Sequence, residues 1–479
     1  MEPVFVDREQ ELAFLNSILT RDYPSSGQLV LLYGRRRIGK TLLVRHWAEA
    51  SGLPTIYWAA DNEPAAMQRR QLFARMTDVS MAQAPTFESW TDLWTAFTKL
   101  VGNRRQILIL DEVPYAAEAD PAFLTSVQHA WDQHFMNSNT TLVMCGSHIH
   151  TMEMLLAHGS PLFGRFTGQW YLTPLTFGTL RQFLPGWRAE QRVGAYSIVG
   201  GVPAYLAWLR PKLTLSANIR DIILSPGNTF MGEPNFLLSD QVREPSVYRA
   251  VLKVIGAGAH TFDQIASLAV IPKHHLSPYL ARLQELRFIE RRIPVTVPHQ
   301  RQALSRVGRY HLADPFLRFY FRFIEPARDD ITIKRDEVMT SIQEQLRAYI
   351  GSAAFEELCR AWLQHPDVST SLPFKLSHVG SHWSKGVQVD VVGINWSEKA
   401  ILLGECKWGT DRVGREVLAE LIDSKSPQVL KTLPAEGQGW AVHYALFSRN
   451  GFTPSLTALA KEHRVLLVDL DRLDKVFTS

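Results

Sequence analysis

The stretch LVLLYGRRRIGKTLLVRHW, residues 29–47, constrains the fold more than any other part of this 479-residue chain. Leu29 to Tyr33 is a short apolar run of buried-strand type, and Leu42, Leu43 and Trp47 continue with helical spacing. Between them Gly34-Arg35-Arg36-Arg37-Ile38-Gly39-Lys40-Thr41 fills the pattern GxxxxGK[ST] in the strand-loop-helix setting that it requires. The two glycines let backbone N–H groups curl around a phosphate, and the helix that begins there adds the positive end of its dipole. Lys40 is placed to reach the terminal phosphates and Thr41 to hold Mg²⁺, with Gly34 to Leu42 forming the nucleotide cradle. The pattern does not demand Arg35, Arg36 or Arg37, which read as a solvated loop crest in preference to partners of another domain.

A phosphate loop of this kind needs a second acid, and QILILDEVPYAAE, residues 106–118, supplies it. Ile107 to Leu110 form a core strand that ends in Asp111 and Glu112, where a parallel sheet presents its carboxyl edge. Asp111 is expected in the Mg²⁺ shell and Glu112 as the group that polarises the attacking water. A further strand, TTLVMCGSH, carries Ser147 to the same edge, where it reads equally as a water-orienting hydroxyl or a turn residue. Ahead of the loop, VFVDREQELAFLNSIL offers Asp7 and Gln10 as a capping box and Leu12, Leu15 and Leu19 as one helical face.

Composition excludes several alternatives. With 46% hydrophobic residues the chain has ample core for about three domains. Lys and Arg number 51 against 47 Asp and Glu, a net charge of +4, so any nucleic-acid surface is a local patch. Cys145, Cys359 and Cys406 are widely spaced with no CxxC pattern and read as reduced thiols of a cytoplasmic protein. The longest uncharged run, residues 193–209, is broken by Gly200, Gly201 and Pro203, so no membrane span is expected.

Several segments together, DREQEL before the loop, LDEVPY, CGSH, SPLFGRFTGQWYLTPLTF and GGVPAYL, resemble the archaeal-type P-loop ATPases, which are found in archaea and bacteria and are akin to STAND and origin-recognition ATPases. The resemblance covers most of the chain. It implies that Val6 and Arg8 lie beside the adenine, and that Arg165, after Gly164, is the family's basic sensor or finger.

Downstream, SVYRAVLKVIGAG, TFDQIASLA and KHHLSPYLARLQELRFI read as three helices, and IERRIPVTV as a strand, the layout of a winged helix-turn-helix. Its third helix offers Lys273, His274, His275, Ser277 and Arg282, and its wing Arg291 and Arg292, a face that fits DNA phosphates or else a protein partner. The segment YHLADPFLRFYFRFIEP that follows is similar to that family's signature after its winged helix, with Leu317, Tyr320, Phe321 and Ile324 as packing residues. In the last domain, helix SAAFEELCRAWLQ carries Glu356 on a flank; strand VQVDVVGI carries Asp390, and strand AILLGECKW carries Glu405 and Lys407. With residues 396–399 as the turn, hairpin register sets Asp390 opposite Glu405 on one face, beside Lys407. An Asp followed by Glu-x-Lys on the next strand is a restriction-endonuclease-like arrangement, in which Asp390 and Glu405 hold a divalent ion, Lys407 steadies or activates the attacking water, and Glu356 is the helical acid. Val389 stands where many such nucleases have proline. The resemblance assigns the C-terminal domain to the same fold.

The expected architecture is therefore α/β: a P-loop NTPase domain with a parallel sheet over residues 1–185, a helical lid over 186–243, a winged helix-turn-helix over 244–327, and an α/β nuclease-like domain over 335–479. The expected ligands are ATP or ADP with Mg²⁺ and, in the last domain, Mg²⁺ or Mn²⁺; the expected partners are DNA and further copies of the chain in a homo-oligomer. Two readings remain. One is an ATP-gated, DNA-directed nuclease, and the other is a STAND-type switch whose last domain only binds.

Overall fold

Every residue of β1 (Gln28–Tyr33) is buried, because its two faces feed two separate cores. Leu29, Leu31 and Tyr33 pack with Trp90, Trp94, Phe97 and Phe123 on one side; Val30 and Leu32 pack with Leu43, Val44 and Trp47 on the other. The same alternation runs through β3 (Gln106–Asp111) and β4 (Thr140–Gly146). With β2 (Thr55–Ala59) and β5 (Gly168–Tyr171) they form a five-stranded, all-parallel sheet in the order β2-β3-β4-β1-β5. Because β4 lies between β1 and β3, the carboxyl ends of the three strands open together, which is where open α/β sheets place ligands.

This computed structural model describes residues 5–21, 27–102, 104–239, 241–242 and 244–478. The expected lid boundary at residue 243 lies outside the described residues. The chain divides into two compact units, residues 1–175 with 202–204 and residues 176–201 with 205–479. The first helix, Glu9–Leu19, corrects the capping-box expectation: its N-cap is Arg8, with no side-chain cap hydrogen bond, and Asp7 stands outside the helix with φ 51°. Leu15 and Ile18 are its buried apolar positions, with Leu12 and Leu19 packed at the margin. Among the described residues no helix is long and apolar enough to cross a membrane.

In the second unit the three helices expected of a winged helix are Pro245–Gly256, Phe262–Leu268 and Lys273–Glu285. Thr261 and Gln264 form a capping box at the second. The wing is a short antiparallel pair, β6 (Ile289–Arg292) and β7 (Arg309–Leu312). The expected longer strand stops at Arg292, two residues before Pro294, which has no N–H to give to a ladder. Instead the wing loop runs to the C-terminal sheet: Val295 N–H donates to Ser381 O at 3.0 Å, and Thr296 Oγ1 meets His382 Nδ1 at 2.7 Å.

That sheet holds β8 (His378–Ser384), β9 (Val387–Asn395), β10 (Ala400–Lys407), β11 (Ala441–Ser448) and β12 (Leu466–Asp469) in the order β12-β11-β10-β9-β8. β8, β9 and β10 are antiparallel neighbours, and β10, β11 and β12 are parallel, so the sheet is mixed. A long helix, Arg335–Ile350, passes through a π-type turn at Gly351–Phe355 into the helix Glu356–Gln364, which packs on β8 and β9.

Asp314 caps the helix Pro315–Phe319, its Oδ1 accepting from Leu317 N–H at 2.9 Å, and so anchors the packing cluster of Leu317, Tyr320, Phe321 and Ile324, all buried as expected. Asp314→Ala is expected to lower stability by about 1–2 kcal/mol, read as a shift of the urea midpoint.

Candidate nucleotide site and C-terminal acid cluster

The loop Gly34–Gly39 joins β1 to the helix Lys40–Ser51, as the motif requires. Gly34 is demanded by space: a Cβ there would stand 2.6 Å from Leu172 O. Gly39 is demanded by its backbone, with φ 93°. Lys40 is buried and folds back to donate to Gly34 O at 3.0 Å and Arg35 O at 3.2 Å. Burial lowers its pKa, with Glu112 and Asp111 opposing. Arg35, Arg36 and Arg37 are half-buried rather than forming a solvated crest. Leu42 is half-buried too, one residue beyond Thr41.

At the end of β3 the Asp111 carboxylate is 1% exposed. Its Oδ2 accepts from Thr41 Oγ1 at 2.7 Å and from the Tyr57 hydroxyl at 2.8 Å, while Oδ1 accepts from Glu112 N–H at 2.9 Å. Glu112 adopts the left-handed conformation, φ 50° and ψ 43°, which an L side chain rarely takes. Its Oε2 accepts from Ser147 N–H at 2.9 Å and Ser147 Oγ at 2.8 Å, so the Ser147 hydroxyl does reach the acid pair. Arg8 is buried; it donates to Ile38 O and Thr173 O, both at 3.1 Å, and pairs with Glu11 at 2.8 Å. It thus braces the back of the phosphate loop, and Val6, half-buried, is two residues ahead of it.

The sensor role implied for Arg165 requires a correction, while a finger role toward a neighbouring copy does not depend on this geometry. It lines a hollow with Gly27 and Gln28, at the amino end of β1, whereas the phosphate loop leaves the carboxyl end. Asp132 grips its guanidinium at 2.8 and 2.7 Å. A sensor acting on the nucleotide of its own chain cannot reach across the length of the sheet.

In the C-terminal sheet the register Ala400↔Asn395 through Gly404↔Val391 is the expected one, with the turn at 396–399. The ladder then stops, one pair short of Asp390 and Glu405. Val389 and Val392 both face the core that also takes Ile401 and Leu403, so two residues, Asp390 and Val391, fill the space between them. The register against β8 shifts at the same point, a β-bulge. Glu405 continues the face of Ile401 and Leu403. Strand alternation therefore no longer fixes the face of Asp390, whose charge still reaches both Glu405 and Glu356. Asp390 Oδ2 accepts from Cys406 N–H at 3.0 Å, and Arg360 donates to Asp390 O at 2.8 Å.

Glu405 is 3% exposed and held by two lysines, Lys407 at 3.2 Å and Lys425 at 2.8 Å. Burial raises its pKa, and the charge of Asp390 adds to that. Burial and then Asp390 push Glu356 up to about 8, although Arg360 lies 3.6 Å away. Lys407 is held above its ordinary value: burial works against its charge, but Glu405 outweighs it. Among the described residues no three His, Cys, Asp or Glu side chains are gathered to hold a metal ion. Cys359 and Cys406, distant in sequence, lie close enough to influence each other, and burial raises the pKa of both thiols.

Residues 5–209 match a family described as an ATPase domain predominantly from Archaea, and residues 320–418 match a family of archaeal and bacterial proteins of unknown function. An uncharacterised protein of Methanocaldococcus jannaschii is 32% identical over 409 residues, 85% of this chain and 88% of that one. The chain belongs to this archaeal-type ATPase family. An uncharacterised ATP-binding protein of the same organism is 41% identical over 46 residues, 10% of this chain and 73% of that one. Similar solved structures include the Walker-type ATPase paby2304 of Pyrococcus abyssi, with 19% identity, 66% of this chain and 96% of that one covered and a TM-score of 0.45. The ORC2 protein of Aeropyrum pernix has 14% identity, 71% and 96% covered and a TM-score of 0.48.

Three polar partners in this archaeal-type ATPase carry no motif signal. Tyr57 stands on the strand beside β3, Lys425 on a π-type turn at Glu420–Lys425, and Arg360 one turn after Glu356. Only Arg360 was accessible to spacing, as the i+4 partner of an acid on a helix.

Glu356 yields a pH test. Its carboxyl keeps its proton in the folded protein up to about 8, while in the unfolded chain it ionises from 4.5 upward. The folded state then holds the extra proton, so this group lowers stability as pH rises from 4.5 to 8. Glu356→Gln is expected to gain stability relative to the parent across that range, by on the order of a few kcal/mol. Urea midpoints of both proteins at pH 5 and pH 8, in EDTA, measure the difference.

Proposed function

We propose that this chain is a Mg²⁺-dependent ATP hydrolase whose nucleotide state works as a switch on its second unit. The 2.7 Å hydrogen bond between Thr41 Oγ1 and Asp111 Oδ2 carries the reading. A hydroxyl from the phosphate loop and a carboxylate from the end of β3 meet at one point, which is the donor set a nucleotide-bound Mg²⁺ takes. In this reading Lys40 leaves the carbonyls of Gly34 and Arg35 for the terminal phosphates. Glu112 accepts the proton of the attacking water, with Ser147 orienting it. Val6 and Arg8 stand on the base side.

Chain connectivity supplies a route for the switch. Residues 202–204 belong to the first unit, while their neighbours on either side belong to the second. A Cβ at Gly39 would stand 3.9 Å from Pro203 Cγ, so this segment lies against the phosphate loop. A shift of the loop on hydrolysis acts directly on a segment tethered at both ends to the second unit. The four functional parts are then the ATPase domain, the lid, the winged helix and the nuclease-like domain.

The winged helix favours a protein-facing role over DNA. Lys273 pairs with Asp263 at 2.6 Å, Arg282 with Glu285 at 3.1 Å, and Arg292 with Glu290 and Glu357, so acids of the chain itself meet the expected basic face. A second reading, metal-dependent cleavage of nucleic acid by the C-terminal domain, is favoured by one observation: the charge of Asp390 reaches both Glu356 and Glu405. A divalent ion held by Asp390 and Glu405 would relieve that repulsion and supply a polarised water beside Lys407.

Lys40→Ala is expected to lose nucleotide binding. Glu112→Gln should keep binding and lose turnover by a factor of about 10²–10⁴, since only the proton acceptor is gone. Phosphate release and ATP titration separate the two, and full hydrolysis by Glu112→Gln would remove that residue from the mechanism. Asp390→Ala should leave ATP turnover unchanged and abolish any cleavage of DNA or RNA that Mg²⁺ or Mn²⁺ supports in the parent. Absence of cleavage in the parent leaves the switch reading alone.

A further inference from the structure

Within the second unit, between the winged helix and the C-terminal sheet, lies a cavity of about 700 Å³. Five arginines line it, Arg292, Arg309, Arg318, Arg322 and Arg360, against two acids, Glu344 and Glu356. Three of the five are accounted for by the fold. Arg318 grips Glu357 with both Nη atoms at 2.9 and 3.0 Å, Arg292 shares that carboxylate, and Arg360 lies beside Glu356.

Arg309 and Arg322 are different. Among the described residues neither has a carboxylate within ion-pair reach. Arg309 lies over the Trp383 ring at 4.9 Å, and burial alone lowers its pKa. Arg322 donates only to the amide oxygen of Gln345, at 3.1 Å. Two guanidinium groups without counter-charge, facing one concave space, repel each other and favour an anion between them. Each offers a planar fork of donors that matches a phosphate with two parallel hydrogen bonds. On the same wall His260 and His311 stack at 4.3 Å. Burial lowers both, His311 to about 2, so at neutral pH they are uncharged and present a ring surface rather than further positive charge. The Trp383 indole is fixed by its N–H donating to Val307 O at 2.9 Å.

We propose that this cavity is a second nucleotide site, separate from the phosphate loop, in which Arg309 and Arg322 take the phosphate and the aromatic wall of Trp383, His260 and His311 takes the base. The volume is that of a small-molecule site and admits one or two nucleotides, not a duplex. The ligand is a free nucleotide or the phosphorylated end of a single strand, which share this chemistry. The proposal does not rest on the ATPase reading.

The test is calorimetric titration of the full chain carrying Lys40→Ala, so that the phosphate loop does not contribute. The probes are adenosine monophosphate, a 5′-phosphorylated thymidine dinucleotide and a 5′-phosphorylated ten-nucleotide strand, at low salt. At least one should bind, and Arg309→Ala and Arg322→Ala should each weaken it about tenfold or more, with Arg309→Lys recovering part of the loss. Binding of a mono- or dinucleotide as tight as that of the strand assigns the site to free nucleotide; binding of the strand alone assigns it to a strand end. No binding of any probe, or binding that both alanine variants leave unchanged, overturns the proposal. ATP turnover of Arg309→Ala and Arg322→Ala with Lys40 intact reports separately on the first site and should match the parent.

Discussion

The buried carboxylate of Asp111 organises the first unit. A polar group so far from water is tolerated only when its oxygens are occupied, and three donors from three elements occupy them: Thr41 from the phosphate loop's helix, Tyr57 from β2 and the backbone of Glu112. The partnership ties the loop to the sheet edge. It also fixes the start of the turn in which Glu112 takes a left-handed backbone, a cost of about 1–3 kcal/mol that the surrounding bonds sustain. Glu112 is thereby aimed at Ser147, the residue after β4, which is the strand between β1 and β3. The strand order is thus the reason that a loop, two acids and a hydroxyl from distant parts of the chain share one crevice.

The C-terminal cluster shows the opposite balance. Of its acids Glu405 is buried and the others half-buried, and each is compensated differently: Glu405 by two lysines, Glu357 by two arginines, Asp390 by a backbone amide, and Glu356 largely by keeping its proton. Four acids in one region are expensive in low dielectric unless charge is neutralised or removed. The fold does both, by the lysines and arginines at Glu405 and Glu357 and by the proton kept at Glu356.

The wing of the winged helix serves the same region. β8 is an edge strand, and an uncovered edge presents unpaired backbone groups. The wing loop covers part of it through Val295, Thr296 and Val307, and Val295 enters the core of the C-terminal sheet. A wing engaged in this way builds a wall between two subdomains, and the arginine-lined cavity is the space that wall encloses.

Local pattern was enough for the elements whose information is short-range. The phosphate loop with its strand and helix, the acid pair after β3, the three helices of the winged helix, and the hairpin register up to Gly404 and Val391 all follow from spacing, because glycine conformation, helical period and strand alternation act over a few residues. The same reasoning went astray where a neighbour in space decided the outcome. Arg165 follows a motif-like segment, yet the strand order sends it to the far end of the sheet and Asp132 holds it there. The regular ladder ends one pair before Asp390, because β8 and β9 pair across a bulge that alternation alone does not reveal. Lys425, Tyr57 and the Cys359–Cys406 contact depend on which segments pack together, and the cavity's five arginines, two of them unmatched, come from separate positions along the chain. The sequence by itself determined which chemistry is available and the local backbone that presents it. Only the tertiary structure decided which charges meet, because pairing energy depends on distance and burial, and long-range packing sets both.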